Sequence, residues 1–232
     1  MEKVKFIKKE NGRAFYKLAD HKVLTDKLIE SLDWPANIKV LVFDFKPFAP
    51  KAGWISPKVS DKYPVRVIYY ASGRDLPPST GSKRQDGLEL VPVKDLGAFR
   101  NVMESVLKKE YIRPIKRYVT AEFMKSSNEF MAKQLKKCRN LWLKKDGRNI
   151  GFLSTMSYKY GGKPGTLLAQ IWIDAKLSPT LRRDAKAMVF RWLKKNIKNR
   201  MATGEHAKSV ETQKFFASMG FKAGRYGVER RS

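Results

Sequence analysis

Residues 140–177 contain three apolar segments separated by two turn signals, and this arrangement constrains the fold more than any other part of the sequence. The segments read NLWLKK, NIGFLSTMSYKY and TLLAQIWIDAKL. The first turn is Asp146-Gly147, a pair that accepts the positive φ angles of a two-residue hairpin. The second turn is GGKPG, from Gly161 to Gly165. Because short turns join antiparallel strands, the sequence predicts three consecutive antiparallel strands.

Helical and strand-like segments flank these strands on both sides. Before them we expect a strand at Leu88–Val93, a helix capped by Asp95 and a second helix capped by Thr120. After them we expect a helix over RRDAKAMVFRWLKKNIK, a strand over RMATGEH, a helix over VETQKFFASM that ends at Gly220, and a strand over FKAGRYGVER. Residues 88–232 therefore predict an α/β (α+β) domain with a mixed, mostly antiparallel sheet flanked by helices.

The first part of the chain predicts a separate small module. Asn11-Gly12 lies between two strand-like segments, which is typical of a β-hairpin, and IKVLVFDF and VRVIYY predict buried strands. Residues 73–87 are rich in Gly, Pro, Ser and charged side chains and lack a periodic apolar pattern. The predicted organisation is a small α+β N-terminal domain over 1–72, a linker or long loop over 73–87, and the larger domain over 88–232.

The chain is strongly basic. Lys and Arg total 49 against 22 Asp and Glu, a formal net charge of +27, to which residues 88–232 contribute 32 basic and 12 acidic side chains. Such an excess attracts polyanions: RNA, DNA, acidic membrane surfaces or phosphorylated cofactors. A general enrichment in lysine explains the charge equally well, because the lysines are scattered along every segment.

Several classes of protein are excluded by what the sequence lacks. No apolar run reaches the ~18 residues needed to cross a bilayer, and the N-terminus has no apolar secretory core. Cys138 is the single cysteine, and the two histidines, His21 and His206, are far apart, so no zinc-ligand spacing exists. We therefore expect a cytoplasmic protein with no transmembrane segment, no disulfide and no metal.

Two local motifs accompany this order of elements. The first reads apolar-x-Pro-x-x-(Arg/Gln)-x-x-Gly-x-(Gly/Ala), and its positions are taken by Leu177, Pro179, Arg182, Ala185 and Ala187, with Ala185 in place of the first glycine. The second reads Asn-x-x-Ala-x-x-Phe-Tyr-x-x-x-Gly-Phe, and its positions are taken by Ser209, Thr212, Phe215, Phe216, Gly220 and Phe221. On these motifs and their separation, residues 88–230 resemble the GNAT (GCN5-related N-acetyltransferase) superfamily.

The resemblance implies an acyl-CoA donor, such as acetyl-CoA, at the start of the helix that follows the three strands. Helix N-termini attract phosphate, and Arg182, Arg183 and Lys186 would add positive charge there. The strand end near Ile173 would pair with the pantetheine arm of the donor. The cofactor-binding set that the resemblance implies is Ile173, Ala175, Leu177, Arg182, Arg183, Asp184, Ala185, Lys186, Ala187 and Phe216. The alternative interpretation of the segment is an amphipathic helix with a basic cap.

Acylation of an amine needs a proton acceptor for the amine and a proton donor for the leaving thiolate. GNAT proteins often use a Tyr of the last helix as the donor, where this sequence has Phe216, and a Glu on the strand before the cofactor loop, where it has Ile171. The catalytic candidates are Asp174, His206 and Ser209, with Glu205 beside His206 as a further polar residue.

The sequence thus favours an acyl-CoA-dependent N-acyltransferase that transfers acetyl from acetyl-CoA to an amine of an unknown acceptor. The alternative is a catalytically degenerate GNAT-fold protein that binds nucleic acid, RNA or DNA, through its basic surface. Phe216 and the missing Glu favour this alternative. A third possibility is transfer from an aminoacyl-tRNA, since transferases of that kind share the fold and are often basic.

Overall fold

The chain forms two compact units. The computed structural model describes residues 4–32, 34–72, 75–76, 87–112, 133–160 and 163–229. Within these ranges the first unit contains residues 4–70, 111–112 and 204–229, and the second contains residues 71–110 and 133–203. The C-terminal residues therefore pack with the N-terminal ones. The boundaries predicted at 1–72, 73–87 and 88–232 stay a prediction, because most of 73–87 lies outside the described residues.

Strands and helices follow the predicted order over the described residues. The strands are β1 (Val4–Glu10), β2 (Arg13–Leu18), β3 (Val40–Phe48), β4 (Val65–Ala71), β5 (Leu88–Pro92), β6 (Arg139–Lys145), β7 (Arg148–Tyr160), β8 (Lys163–Ile173), β9 (Arg200–His206) and β10 (Lys222–Glu229). The helices are α1 (Asp26–Ser31), α2 (Leu96–Val106), α3 (Pro179–Asn196) and α4 (Val210–Ser218), with a 3-10 turn at His21–Val23 and a π turn at Leu107–Ile112.

In the first unit, the C-terminal strand lies between two N-terminal strands. The strand order is β1-β2-β3-β10-β4, and β10 runs antiparallel to both β3 and β4. The predicted hairpin is confirmed, since β1 and β2 are antiparallel and join at Asn11 and Gly12, whose φ angles are 51° and 70°. The parallel pair β2/β3 is connected through the 3-10 turn and α1. The sheet of this unit therefore needs both ends of the chain.

A buried glutamine holds three segments of the first unit together. The Gln213 side chain on α4 is fully buried, and its Oε1 accepts hydrogen bonds from the Tyr69 hydroxyl at 2.5 Å and the Ile55 N–H at 3.0 Å. Its Nε2 donates to the Ala207 carbonyl at 2.7 Å. Phe216 packs beside this network, with its ring 6.3 Å from that of Tyr69. A buried amide of this kind is tolerated because its polar atoms are paired.

The second unit is built on the predicted antiparallel strands. Its strand order is β9-β8-β7-β6-β5, to which β9 contributes residues 200–203; β5 to β8 pair antiparallel, and β8 pairs parallel with β9. Asp146 and Gly147 turn the chain between β6 and β7 with φ angles of 47° and 79°. Helix α3 makes the crossover that a parallel pair requires. This arrangement confirms the predicted fold class, a mixed and mostly antiparallel sheet with flanking helices.

Helix α2 covers the sheet of the second unit as expected from its cap and its apolar residues. The Asp95 carboxylate accepts hydrogen bonds from the N–H groups of Gly97 at 2.8 Å and Ala98 at 3.0 Å, which confirms the predicted cap. The buried Phe99 ring lies edge-on to Trp142 and Phe152, at centroid distances of 4.9 and 5.4 Å. Aromatic contacts of this geometry fix how the helix lies on the sheet.

Two predicted helices were not confirmed as predicted. The helix predicted to begin at Arg182 begins at Pro179, because Ser178 caps it and Pro is suited to the first helical position. The helix predicted over 120–138 lies largely outside the described residues. Among the helices described, none is both long and apolar enough to cross a membrane.

Candidate functional site

Strand β8 has an open edge in the second unit. Its parallel pairing with β9 is short, from Gly165 opposite Arg200 to Leu167 opposite Ala202. Strand β8 then continues to Ile173, paired with β7 on its other side. Among the described residues, the strand pairing between β8 and β9 ends at Leu167 and does not continue along the rest of β8. An extended ligand with amide groups can pair with such an edge.

A β-bulge lies within this open stretch. Ser154 of β7 pairs with Gln170 and Thr155 pairs with Leu168, so Ala169 is an extra residue on β8. A bulge interrupts the hydrogen-bond ladder and bends the strand locally. Near Ala169, β8 therefore has no continued pairing with β9 on one side and an irregular pairing with β7 on the other.

The chain leaves β8 through a tight turn and enters α3. The Asp174 carboxylate accepts a hydrogen bond from the Lys176 N–H at 2.9 Å, and the Asp174 N–H donates to the Ile150 carbonyl at 2.9 Å. Ser178 then caps the helix, since its hydroxyl accepts from the Leu181 N–H at 3.3 Å. Asp174, predicted as a catalytic residue, is thus a turn residue of the second unit.

The residues predicted to bind the donor from Arg182 to Ala187 lie inside the continuous helix α3, where N–H groups bond to carbonyls of the preceding turn. Ala185 and Ala187 are 0% and 6% exposed, so their side chains pack in the core. Helix α3 begins at Pro179, about one turn before Arg182, because Ser178 caps it and Pro is suited to the first helical position. Binding of the donor by these residues stays a prediction.

Cationic side chains, however, do surround the start of α3. Arg182 and Arg183 are exposed, and the Arg183 Nε lies 3.7 Å from the Asp184 carboxylate. Burial lowers the pKa of Lys186, and the neighbouring Arg182 charge lowers it further. In the first turn of α3, the Thr180 N–H has no hydrogen-bond acceptor among the described residues. Any anion at this helix end would be held mainly by side chains.

The remaining predicted cofactor residues fall into different environments. Ile173 is buried opposite Gly151, Ala175 is exposed, and Leu177 is half-buried, donating its N–H to the Asp174 carbonyl at 3.4 Å. Phe216 is 3% exposed in the core of the first unit. Ile173 to Leu177 therefore stay with the open edge of β8, whereas Phe216 belongs to the other unit.

The predicted catalytic residues His206 and Ser209 are neighbours at the junction of β9 and α4. The Ser209 N–H donates to the His206 carbonyl at 2.8 Å, and the His206 Nδ1 accepts from the Lys208 N–H at 3.2 Å. Ser209 stands at the N-cap of α4 without a side-chain capping bond. An accepting Nδ1 requires the neutral imidazole with its proton on Nε2. The structure thus brings two of the three predicted residues together and leaves Asp174 in the other unit.

Glu205, next to His206 on β9, has the most strongly perturbed carboxyl group among the described residues. It is half-buried, and burial raises its pKa to about 7 from an ordinary value of 4.5, against the lowering effect of the Arg66 charge. Arg66 itself pairs with Glu229, with 3.0 Å between Nε and Oε1. In the sequence, Glu205 is the only carboxylate of the strand RMATGEH, and nothing else there marks it. Its burial in the structure is what distinguishes it from the other acidic residues.

Comparison with solved protein structures shows similarity in the fold. A conserved protein of unknown function from Staphylococcus epidermidis aligns with a TM-score of 0.50 at 10% identity, over 95% of this chain and 85% of its own. A GCN5-related N-acetyltransferase from Kribbella flavida aligns with a TM-score of 0.46 at 8% identity, over 94% and 82%. A second protein of that description, from Sphaerobacter thermophilus, aligns with a TM-score of 0.39 at 10% identity, over 98% and 75%.

Over the described residues, the order of strands and helices is the one predicted from the sequence for residues 88–232. Identities of 8–10% say nothing about individual site residues. No protein-family model and no curated protein sequence matches the chain.

Proposed function

We propose that the protein is an N-acyltransferase that takes an acyl group from an acyl-CoA, with acetyl-CoA as the simplest donor, and transfers it to an amine. The observation that carries the proposal is the open edge of β8, which leads directly into the cationic start of α3. The pantetheine arm of CoA is an extended chain with two amide groups, and such a chain can lie along a strand edge and hydrogen-bond to it.

The residues at this site fit CoA in a specific way. A diphosphate would be met by Arg182, Arg183 and Lys186, with the Thr180 N–H and the dipole of α3 contributing. The donor supplies a thioester, whose carbonyl carbon accepts the amine and whose thiolate leaves.

The bulge at Ala169 gives the site a second feature that suits acyl transfer. Where two residues of one strand oppose one residue of the other, a backbone N–H is released from the ladder. A free N–H beside the open edge can polarise a carbonyl group placed there. The remaining requirements are a group that accepts the proton of the amine and one that protonates the thiolate.

A second candidate function is binding of nucleic acid by a protein that has the fold without the chemistry. The observations that favour it are the net charge of +27 and the presence of Phe216 where the family often has a Tyr. In this case Arg182, Arg183 and the other cations would contact phosphates of a polynucleotide.

Calorimetric titration distinguishes the two functions. Acetyl-CoA should bind with a dissociation constant between about 1 µM and 1 mM, the range usual for enzyme substrates. The double variant Arg182→Ala/Arg183→Ala should weaken acetyl-CoA binding at least about tenfold, because each guanidinium contributes a charge-assisted hydrogen bond. The same variant should leave the binding of S-acetylpantetheine, which lacks the phosphates, unchanged.

Lys195→Ala/Lys198→Ala is the matched control, since it removes two exposed cations near the other end of α3. It should not affect either ligand. If acetyl-CoA does not bind and a single-stranded RNA of mixed sequence binds with an affinity that falls steeply with salt, the second candidate is correct and the first is wrong.

A further inference from the structure

Strand β1 lies at the edge of the sheet in the first unit and is exposed along most of its length. Among the described residues it pairs with β2 alone, and every residue from Lys5 to Glu10 is exposed. Phe6 and Ile7 are 50% and 49% exposed, more than any other large apolar side chain that the structure describes. An adjacent apolar pair on an edge strand favours aggregation, so its presence calls for a partner that covers it.

The side chains of β1 lie on both faces of the sheet. Phe6 pairs with the buried Tyr16, and their rings meet edge-on with centroids 5.6 Å apart. Lys8 lies on the opposite face, where its Nζ is 5.3 Å from the centroid of the Phe15 ring. Ile7, between them, is an extra residue at a β-bulge. Strand β1 therefore presents apolar side chains and lysines together along one edge.

Strands β1 and β2 carry an excess of cations. Together they contain five basic residues and one acidic residue, a net charge of +4. The acidic residue, Glu10, is engaged by the Lys8 side chain. Lys5 lies directly opposite Lys17 in the register, and like charges in such positions repel each other. Neither of these two lysines, nor Arg13, forms an ion pair within the part of the chain that the structure describes.

The carboxylate beside Lys17 on the next strand is committed to another cation. Asp44 of β3 pairs with Lys17 in the register, but its two oxygens accept hydrogen bonds from Arg225, from Nε at 2.6 Å and from Nη2 at 2.9 Å. A bidentate pair of this kind is strong and fixed in geometry. The repulsion between Lys5 and Lys17 is therefore relieved only by an anion from outside the sheet.

We propose that β1 and the adjoining face of β2 bind an anionic lipid surface. Phe6 and Ile7 enter the boundary between headgroups and acyl chains, and Lys5 and Lys17 contact headgroup phosphates while their alkyl stems lie along the apolar side chains. Attachment of this kind depends on buried apolar area and on electrostatic attraction together. A polynucleotide would use the cations but would gain little from Ile7, which is aliphatic and offers no ring for a base to stack on. The proposal does not depend on the acyltransferase function.

Co-sedimentation of the full chain with lipid vesicles tests the electrostatic part. The protein should bind vesicles of phosphatidylcholine with about 30% phosphatidylserine at least about tenfold more tightly than vesicles of phosphatidylcholine alone, and added salt should weaken this binding. Lys5→Gln/Lys17→Gln should weaken it at least about tenfold, since each basic residue near an anionic surface contributes about fivefold. Lys195→Gln/Lys198→Gln, which removes the same charge from exposed positions of the second unit, should have little effect.

Substitution of Ile7 tests the apolar part. Ile7→Ser should weaken binding to the anionic vesicles about fivefold, because about half of this side chain is available for burial. Leu96→Ser, at an exposed apolar residue of α2, is the matched control and should leave binding unchanged. In a spectroscopic measurement, the added tryptophan of Ile7→Trp should shift its emission to shorter wavelength when anionic vesicles are present, whereas that of Leu96→Trp should not.

Absence of binding to the anionic vesicles would overturn the proposal, and so would undiminished binding by a folded Ile7→Ser protein. Binding that requires Lys5 and Lys17 but not Ile7, with equal affinity for a single-stranded RNA, would assign the surface to nucleic acid and not to lipid. Urea unfolding shows whether each variant is folded. Because Ile7→Trp keeps an apolar side chain, an unshifted emission would overturn the proposal even if the serine variant proved unstable.

Discussion

Replacement of Glu205 by glutamine should make the protein more stable above neutral pH. In the folded protein burial raises the pKa of this carboxyl group to about 7, whereas its ordinary value is 4.5. Between these two values the folded state binds more protons than the unfolded state. The contribution of Glu205 to the free energy of unfolding is therefore greatest below pH 4.5, decreases as the pH rises towards 7, and stays low at higher pH.

The magnitude follows from the separation of the two pKa values. One pH unit corresponds to 1.36 kcal/mol, so ionised Glu205 costs the folded protein about 3 kcal/mol at pH 8. Glutamine has no charge to bury. The difference in free energy of unfolding between Glu205→Gln and the wild type should therefore grow by about 2–3 kcal/mol in favour of the variant between pH 5 and pH 8.

Urea unfolding of both proteins at pH 5, 6, 7 and 8 measures this difference, and the other titrating groups cancel because both proteins contain them. Glu211→Gln serves as the control, since Glu211 is exposed and its difference from the wild type should not change with pH. If the Glu205→Gln difference is the same at pH 5 and pH 8, the carboxyl group is not destabilised by burial, and the reasoning about Glu205 is wrong.

Substitutions at four further positions test the packing within each unit by denaturant unfolding. Gln213→Leu should destabilise the protein by about 3 kcal/mol or more, because it leaves three buried polar groups without partners; a loss below about 1 kcal/mol would contradict this. Tyr226→Phe should be neutral or stabilising by up to about 1 kcal/mol, because this fully buried hydroxyl has no hydrogen-bond partner among the described residues. Tyr69→Phe should instead cost about 1–2 kcal/mol, and equal effects of the two would refute the distinction. Asp95→Ala should cost about 1 kcal/mol through loss of the α2 cap, and Asp95→Asn should recover most of it.

Much of the fold could be predicted because its signals are local. Asn11-Gly12 and Asp146-Gly147 accept positive φ angles, and both form the expected hairpin turns. Asp95 can cap a helix with its own side chain, and Gly220 can end one with a φ of 80°. Each of these predictions depends on a few consecutive residues, so distant parts of the chain do not alter it.

The start of α3 shows what the motif alone did not give. Arg182, Ala185 and Ala187 match positions of the family's cofactor motif, and the structure adds that the Ser178-Pro179 pair begins the helix before all three. Ala185 and Ala187 lie on the face of this helix that packs in the core. Arg182, Arg183 and Lys186 still place positive charge near the start of α3, as the sequence predicted.

The sequence by itself determined the order and type of the elements, because turns, caps and apolar periodicity act over a few residues. Only the tertiary structure decided that β10 lies between β3 and β4 and that Gln213 joins Ile55, Tyr69 and Ala207. It also decided that Glu205 is the carboxyl group whose pKa burial raises to about 7. These properties depend on which distant residues exclude water from a group or supply its partners, and no stretch of consecutive residues contains that information.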